Sequence, residues 1–474
     1  MVKKFHFYLL SNLLFLFIPS ISFSHGINIR YELPLPLYAY LISSVFIIII
    51  TLCFSKTFIK RNIDSDKDVG EKHFYKNKFI GNISFLFLLL LILVGYFGNQ
   101  GPLNNLVNVF IWVWFWVGFS YISILSGTFW PKLNPWFIPF SYLIKFLYQF
   151  NTIKKFKRNS LIEVNIIGII LLILFLWFAI IFPLREIPKI LSLFLIIYSF
   201  ITFMGMLIYG RTRWFYNAEI FSLYFSMLGR IGILKPNNKT HINKFRKPFT
   251  GIKMGNKNLF SAVFIIIAVS SISFDGILET QFWHDFKLLI ITIPILIPIF
   301  KILLFFFGNL DVVLNSLGII FMPLILLLFY YLSCKKAHRY IEPHYNLRDI
   351  LIIFSPSLIP IAAAYHIAHY FSFLLIAGQL GFPLLSDPFN LGWNLIGLSD
   401  YTVNPYIINA KFGWSVILVT VIVGHIASII ISQKISYTIS ISKNNATKTH
   451  FPLSLFMILY TVFSLWILSE PIVH

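Results

Sequence analysis

The chain has 474 residues, of which 58% are hydrophobic, 18% aromatic and only 12% charged. This composition lies far outside that of soluble globular proteins and predicts an integral membrane protein. The formal net charge of +21 does not indicate nucleic-acid binding, because the Lys and Arg residues lie in loops between apolar runs. Cations in such loops set the orientation of the chain and contact lipid headgroups, so the lipid bilayer is the predicted partner.

The N-terminus has the layout of a secretory signal peptide, with a basic start, an apolar run and the small residues Ser22 and Ser24. Cleavage before His25 would remove residues 1–24 and leave 25–474 as a single multi-pass transmembrane domain. The mature chain would then begin with histidine, and a free α-amino group beside an imidazole can chelate copper through two nitrogens. If cleavage falls elsewhere, His25 is an ordinary polar residue.

Apolar segments of about 20 residues, the length needed to cross the bilayer core, recur along the rest of the chain. We predict them near 37–54, 79–98, 106–127, 162–182, 190–209, 258–275, 287–307, 313–334, 350–377, 412–432 and 452–469. Two shorter segments, which start at Pro135 and Asn217, carry charges at intervals and are predicted to lie in the interface. The sequence therefore predicts an all-α polytopic helix bundle of about ten to eleven transmembrane helices.

The distribution of Lys and Arg predicts the orientation, because cationic loops are retained in the cytoplasm. The loops that this rule assigns to the cytoplasm are 55–78, 154–158 and 241–249. Counting every later segment as a full crossing would put the basic stretch 334–349 outside, against the rule. We therefore expect 287–307, which contains two prolines, to enter and return without crossing. About ten crossings then place both termini and the loop 378–411 outside.

Ionisable residues inside apolar spans are the candidate functional residues, because they are costly there and face an interior or a cavity. His366 and His369 are three residues apart, which puts both on one face of a helix. His425 lies in the middle of another span, next to Gly424, where a neighbouring helix can approach closely. Asp275 is expected at the outer end of its helix. A purely structural role, in which the histidines bond to carbonyls or tyrosines and fix the packing, remains an alternative.

Three kinds of chemistry suit this set. Neutral imidazoles of His366, His369 and His425, completed by Asp275 or by the terminal amine of His25, would form a copper or zinc site. One imidazole from each of two helices could instead ligate a haem. The histidines could also couple protons to the transport of a small solute. The sequence has no phosphate-binding glycine-rich loop, no G-x-S-x-G and no H-E-x-x-H, so nucleotide-driven transport, serine hydrolysis and zincin chemistry are not supported.

Seven segments occur in a fixed order over most of the mature chain: "HGINIRYELPLPLYAY", "KLNPW", "NAEIFSLYFSMLGRI", "SFDGILETQFW", "YHIAHYFSFLLIAGQ", "SDPFNLGWNLIGLSDY" and "VIVGHIASIIIS". Together they resemble a family of bacterial polytopic membrane proteins labelled fenitrothion hydrolase. The resemblance implies a location in the bacterial inner membrane and cleavage of an organophosphorus ester, but it supplies no catalytic residues. A metal held by His366, His369 and His425 could generate hydroxide for such a reaction, with Asp275 orienting the water or binding the metal.

Overall fold

The computed structural model describes residues 42, 45–46, 78–149, 161–235, 244–252 and 258–469. The predicted signal peptide 1–24, His25, and most of the first predicted span, 37–54, lie outside the described residues. The predictions made for them therefore stay predictions.

The first half of the described chain forms eight helices, of which four are long and apolar enough to cross a membrane. In chain order they are α1 (Lys78–Phe97), α2 (Leu106–Ser126), α3 (Trp130–Leu133), α4 (Phe137–Gln149), α5 (Leu161–Ile180), α6 (Pro188–Tyr209), α7 (Arg211–Asn217) and α8 (Ile220–Leu228). The long ones are α1, α2, α5 and α6. Two strands of two residues each, β1 (Leu234–Lys235) and β2 (Lys244–Phe245), then pair in antiparallel fashion.

The second half contains the remaining helices. They are α9 (Leu259–Leu278), α10 (Gln281–Thr292), α11 (Ile297–Phe307), α12 (Leu310–His338), α13 (Leu347–Phe354), α14 (Ile359–Ala377), α15 (Gly381–Ser386), α16 (Ala410–Ile439) and α17 (Lys443–Ser469). Here α9, α12, α16, α17 and the continuous α13–α15 segment are long and apolar enough to span, which makes nine such elements in the described residues. Each coincides with a predicted span, and the predicted all-α polytopic helix bundle is confirmed.

The pair α10–α11 is bent by 76° at the short break between its two helices. The Trp283 Nε1 of α10 donates to Asn315 Oδ1 at 2.8 Å, and Lys287 Nζ lies 2.6 Å from Asp311 Oδ1, near the start of α12. The end of α9 is therefore close to the start of α12, and the connecting segment does not need to cross. This geometry agrees with the prediction that 287–307 enters and returns.

The sequence predicts that the segment starting at Asn217 lies in the membrane interface. This prediction is wrong, because the segment is buried in the bundle. The side chain of Glu219, which precedes α8, accepts a hydrogen bond from Tyr198 at 2.6 Å. Tyr198 lies eleven residues before Tyr209, the last residue of α6, and thus about 16 Å along the helix axis. The break between α7 and α8 is tolerated inside the bundle because the surrounding protein satisfies the backbone groups that the break exposes.

The helix α14 packs closely against α16, because Gly424 of α16 has no side chain. A Cβ at this position would clash with the Ala364 Cβ and lie 2.8 Å from the Pro360 carbonyl oxygen. Small residues at such contacts let two membrane helices approach, so this close approach confirms the role predicted for Gly424.

We expect Gly424→Ala to destabilise the protein by about 1–3 kcal/mol, because the added methyl group forces α14 and α16 apart. The measurement is the thermal unfolding of the full chain in detergent. Gly118→Ala is the matched control, since a Cβ there finds its nearest neighbour at 3.6 Å. Equal melting temperatures for the two variants would contradict the close packing.

Candidate functional site

Three polar side chains meet where the outer end of α9 contacts α14. The Nε2 of His369 lies 3.0 Å from Asp275 Oδ2, and the hydroxyl of Tyr370 donates to the same oxygen at 2.7 Å. The side chains of His369 and Asp275 are only 2% and 6% exposed. A carboxylate buried to this degree is tolerated only when it is paired and hydrogen-bonded. The structure thus joins two of the predicted site residues and adds Tyr370.

His366 occupies the same face of α14 but has a different partner. Its Nδ1 lies 3.1 Å from the hydroxyl of Tyr224, which comes from the buried helix α8, and its ring meets Trp116 edge-on. The ring of Tyr370 lies between the two imidazoles, 4.9 Å from that of His366 and 4.6 Å from that of His369. The spacing of three and four residues on one helix produces this arrangement.

His425 belongs to a different part of the interior. Its Nδ1 lies 2.7 Å from the carbonyl oxygen of Val421 in its own helix, and its ring faces Tyr460 of α17. The Tyr460 hydroxyl bonds to Ser273 of α9. Residues two apart on a helix point in different directions. Ser273 therefore contacts Tyr460 of α17, whereas Asp275 contacts His369 of α14. The structure therefore does not bring His425 to the pair formed by Asp275 and His369.

No three His, Cys, Asp or Glu side chains of the described residues are close enough to hold a metal ion. Two ring nitrogens on α14, His366 Nε2 and His369 Nδ1, are nevertheless buried without a hydrogen-bond partner in this part of the chain, as is His425 Nε2. His25, the other predicted ligand, lies outside the described residues. The described residues thus supply imidazole nitrogens but not a complete set of metal ligands.

A cavity of about 30 Å³ adjoins the cluster and is lined by Asp275, Tyr370 and Ser271 among others. This volume suffices for one or two water molecules. A second cavity, of about 70 Å³, extends to Arg185 and Glu186, in a loop predicted to lie outside. The two cavities share three wall residues, which form a partition between them: Trp112, Ala179 and Phe373. The polar cluster is thus separated from the second cavity by a thin apolar wall.

One feature of this site, a π-helical stretch in α2, is not apparent from the sequence. The stretch Val109–Gly118 of α2 is a π-helix, a conformation that is frequent at functional sites. It turns Trp112 and Trp116 toward the inner cavity, while the Nε1 of Trp114 donates to the Gly378 carbonyl at 3.0 Å. Three tryptophans at alternate positions in "WVWFW" are the signal that could have drawn attention to this segment.

Compared with known proteins, the chain matches no protein-family model, no curated protein and no solved structure. The resemblance to the family labelled fenitrothion hydrolase stays a prediction. The interpretation of the site therefore depends on its geometry.

We expect a cysteine in place of Ser271 to react with a small membrane-impermeant thiol reagent added from the outer side. Side-chain movement of the partition would open the cavity to that side, and Trp112→Ala should increase the rate because it removes part of the wall. The measurement uses oriented vesicles and a background without Cys53 and Cys334.

Ser428→Cys is the matched negative control, because Ser428 is also a buried serine but does not line either cavity. Tyr406→Cys, in the exposed outer loop, is the positive control. If Ser271→Cys reacts no faster than Ser428→Cys while Tyr406→Cys reacts, access from the outer side is disproved.

Proposed function

We propose that this multi-pass membrane protein is a proton-coupled transporter of a small solute, with Asp275 and His369 as its proton-binding pair. The observation that carries the proposal is the burial of this pair inside the helix bundle, beside a cavity that a thin apolar partition separates from a second cavity. Ionisable residues within membrane spans commonly mark proton relays and solute pathways. The proposal includes a location in the bacterial inner membrane.

The bonding of the pair supports proton uptake. Asp275 lines the cavity and accepts from His369 Nε2, so in the neutral imidazole the proton is on Nε2 and a lone pair is on Nδ1. That Nδ1 is buried without a hydrogen-bond partner among the described residues and can accept a proton while Nε2 passes its own proton to Asp275.

Protonation would also change the contact between two helices. Asp275 is on α9, whereas His369 and Tyr370 are on α14, so the hydrogen bonds of one carboxylate oxygen join the two helices. A proton on Asp275 would remove the charge that strengthens these bonds, because hydrogen bonds to an ionised group are about twice as strong as neutral ones. Proton binding and helix movement would thereby be coupled.

We expect infrared difference spectra recorded across a change of pH to show a buried carboxyl group that gains or loses a proton. This signal should disappear in Asp275→Asn and persist in Asp285→Asn, which removes an exposed carboxylate from α10. In proteoliposomes, solute-dependent current driven by a pH gradient should show the same difference. An unchanged carboxyl signal in Asp275→Asn would refute the assignment of the proton to this pair.

A copper or zinc site is the second candidate, favoured by the two unpartnered ring nitrogens on α14. These nitrogens, His366 Nε2 and His369 Nδ1, belong to histidines three residues apart, which is about one helical turn. Neutral imidazole is a good ligand for either metal. Further ligands would be needed, and Asp275 or the predicted terminal His25 could supply them. A metal-bound water deprotonates near neutral pH, which would provide the ester hydrolysis that the family resemblance implies.

If a metal is bound, elemental analysis of protein purified without chelators should find copper or zinc in stoichiometric amount. His366→Ala and His369→Ala should each lose it, because each removes one ligand. His450→Ala is the matched control, since His450 is a buried histidine bonded to Gln433 and Ser454. Metal-free wild-type protein would argue against this candidate and for proton coupling, whereas a Soret band would indicate haem.

A further inference from the structure

A basic groove of about 450 Å³ lies between the end of α12 and the start of α17. It shares no lining residue with the cavities described above. Three cationic side chains line it: Lys336 and Arg339 at the end of α12, and Lys448 near the start of α17. Tyr340 and Phe451 provide aromatic walls. This end of the bundle carries the basic stretch 334–349, which the positive-inside rule assigns to the cytoplasm.

No described residue neutralises these three charges through an ion pair. Within the described residues, no carboxylate lies within ion-pair distance of any of them, in contrast to Lys287, which pairs with Asp311. Lys448 lies over the ring of Tyr340, with Nζ 5.7 Å from the ring centroid. Three cations held around one groove at the headgroup level of a membrane form a site for an anion.

Two apolar surfaces lead from the groove toward the middle of the membrane. On α17, the exposed side chains of Phe451, Leu455 and Leu459 follow one another at four-residue spacing, so they lie on one face. On α12, Leu332 and Leu328 are exposed at the same spacing below Lys336. A free phosphate ion would not use these surfaces, whereas the acyl chains of a lipid would.

We propose that this groove binds the anionic headgroup of a phospholipid of the inner leaflet, with its acyl chains along α12 and α17. The charge complementarity fixes the phosphate among the three cations. The apolar faces distinguish a lipid from a soluble anion, and the site is independent of the function proposed for Asp275 and His369.

The test is native mass spectrometry of the detergent-solubilised full chain, titrated with phosphatidylglycerol and with phosphatidylcholine of the same acyl chains. We expect preferential binding of phosphatidylglycerol that excess inorganic phosphate does not displace. A groove variant should bind it roughly tenfold to a hundredfold more weakly, because each Lys or Arg near an anionic lipid contributes roughly a fivefold factor. This variant combines Lys336→Gln, Arg339→Gln and Lys448→Gln.

The control variant removes three exposed cations from the same predicted side but outside the groove: Lys247→Gln, Lys335→Gln and Lys434→Gln. It should bind phosphatidylglycerol like the wild type. The single variant Lys448→Gln should give an intermediate affinity, which guards against a folding defect in the triple variant. Equal binding of phosphatidylcholine, equal loss in the control, or displacement by inorganic phosphate would each overturn the proposal.

Discussion

The hydrogen bonds of Asp275 with His369 and Tyr370 are the constraint on which the outer half of the bundle depends. A carboxylate at this depth must have partners, because burying an isolated charge costs several kcal/mol. Both partners come from α14, so the end of α9 is fixed against the centre of that helix. Trp116 and Trp112 then enclose the cavity beside the carboxylate and limit its contact with water.

A second buried carboxylate, that of Glu219, stabilises the start of α8 inside the bundle. A helix that begins inside the bundle leaves backbone N–H groups without partners, and Glu219 accepts from those of Phe221 and Ser222 at 3.1 and 2.9 Å. The carboxylate is itself held by Tyr198, with the Trp130 Nε1 at 3.2 Å. This cap allows α8 to begin at membrane depth, where Tyr224 reaches His366.

The sequence was sufficient for the spans, the close approach at Gly424 and the shared face of His366 and His369, because each follows from helix length or periodicity within one segment. The separation of His425 from that pair was not predictable, since it depends on which face of α9 each neighbouring helix contacts. The burial of α8 was hidden by its short length and by the charged residues on either side of it, Glu219 and Arg230. Glu219 there is a cap bonded to Tyr198, a partner 21 residues earlier in the chain.

The packing around α14 indicates which part could move if the pair takes up a proton. Gly424 lets α16 lie against α14 in an apolar contact that no proton can change. Deeper along α9, the bond between Ser273 and Tyr460 ties that helix to α17 through groups that stay neutral. Within the part of the chain that the structure describes, the hydrogen bonds that join the C-terminal end of α9 to α14 involve a titratable carboxylate, that of Asp275. Protonation of Asp275 would therefore loosen this end from α14, while the contact at Gly424 and the bond between Ser273 and Tyr460 stay in place.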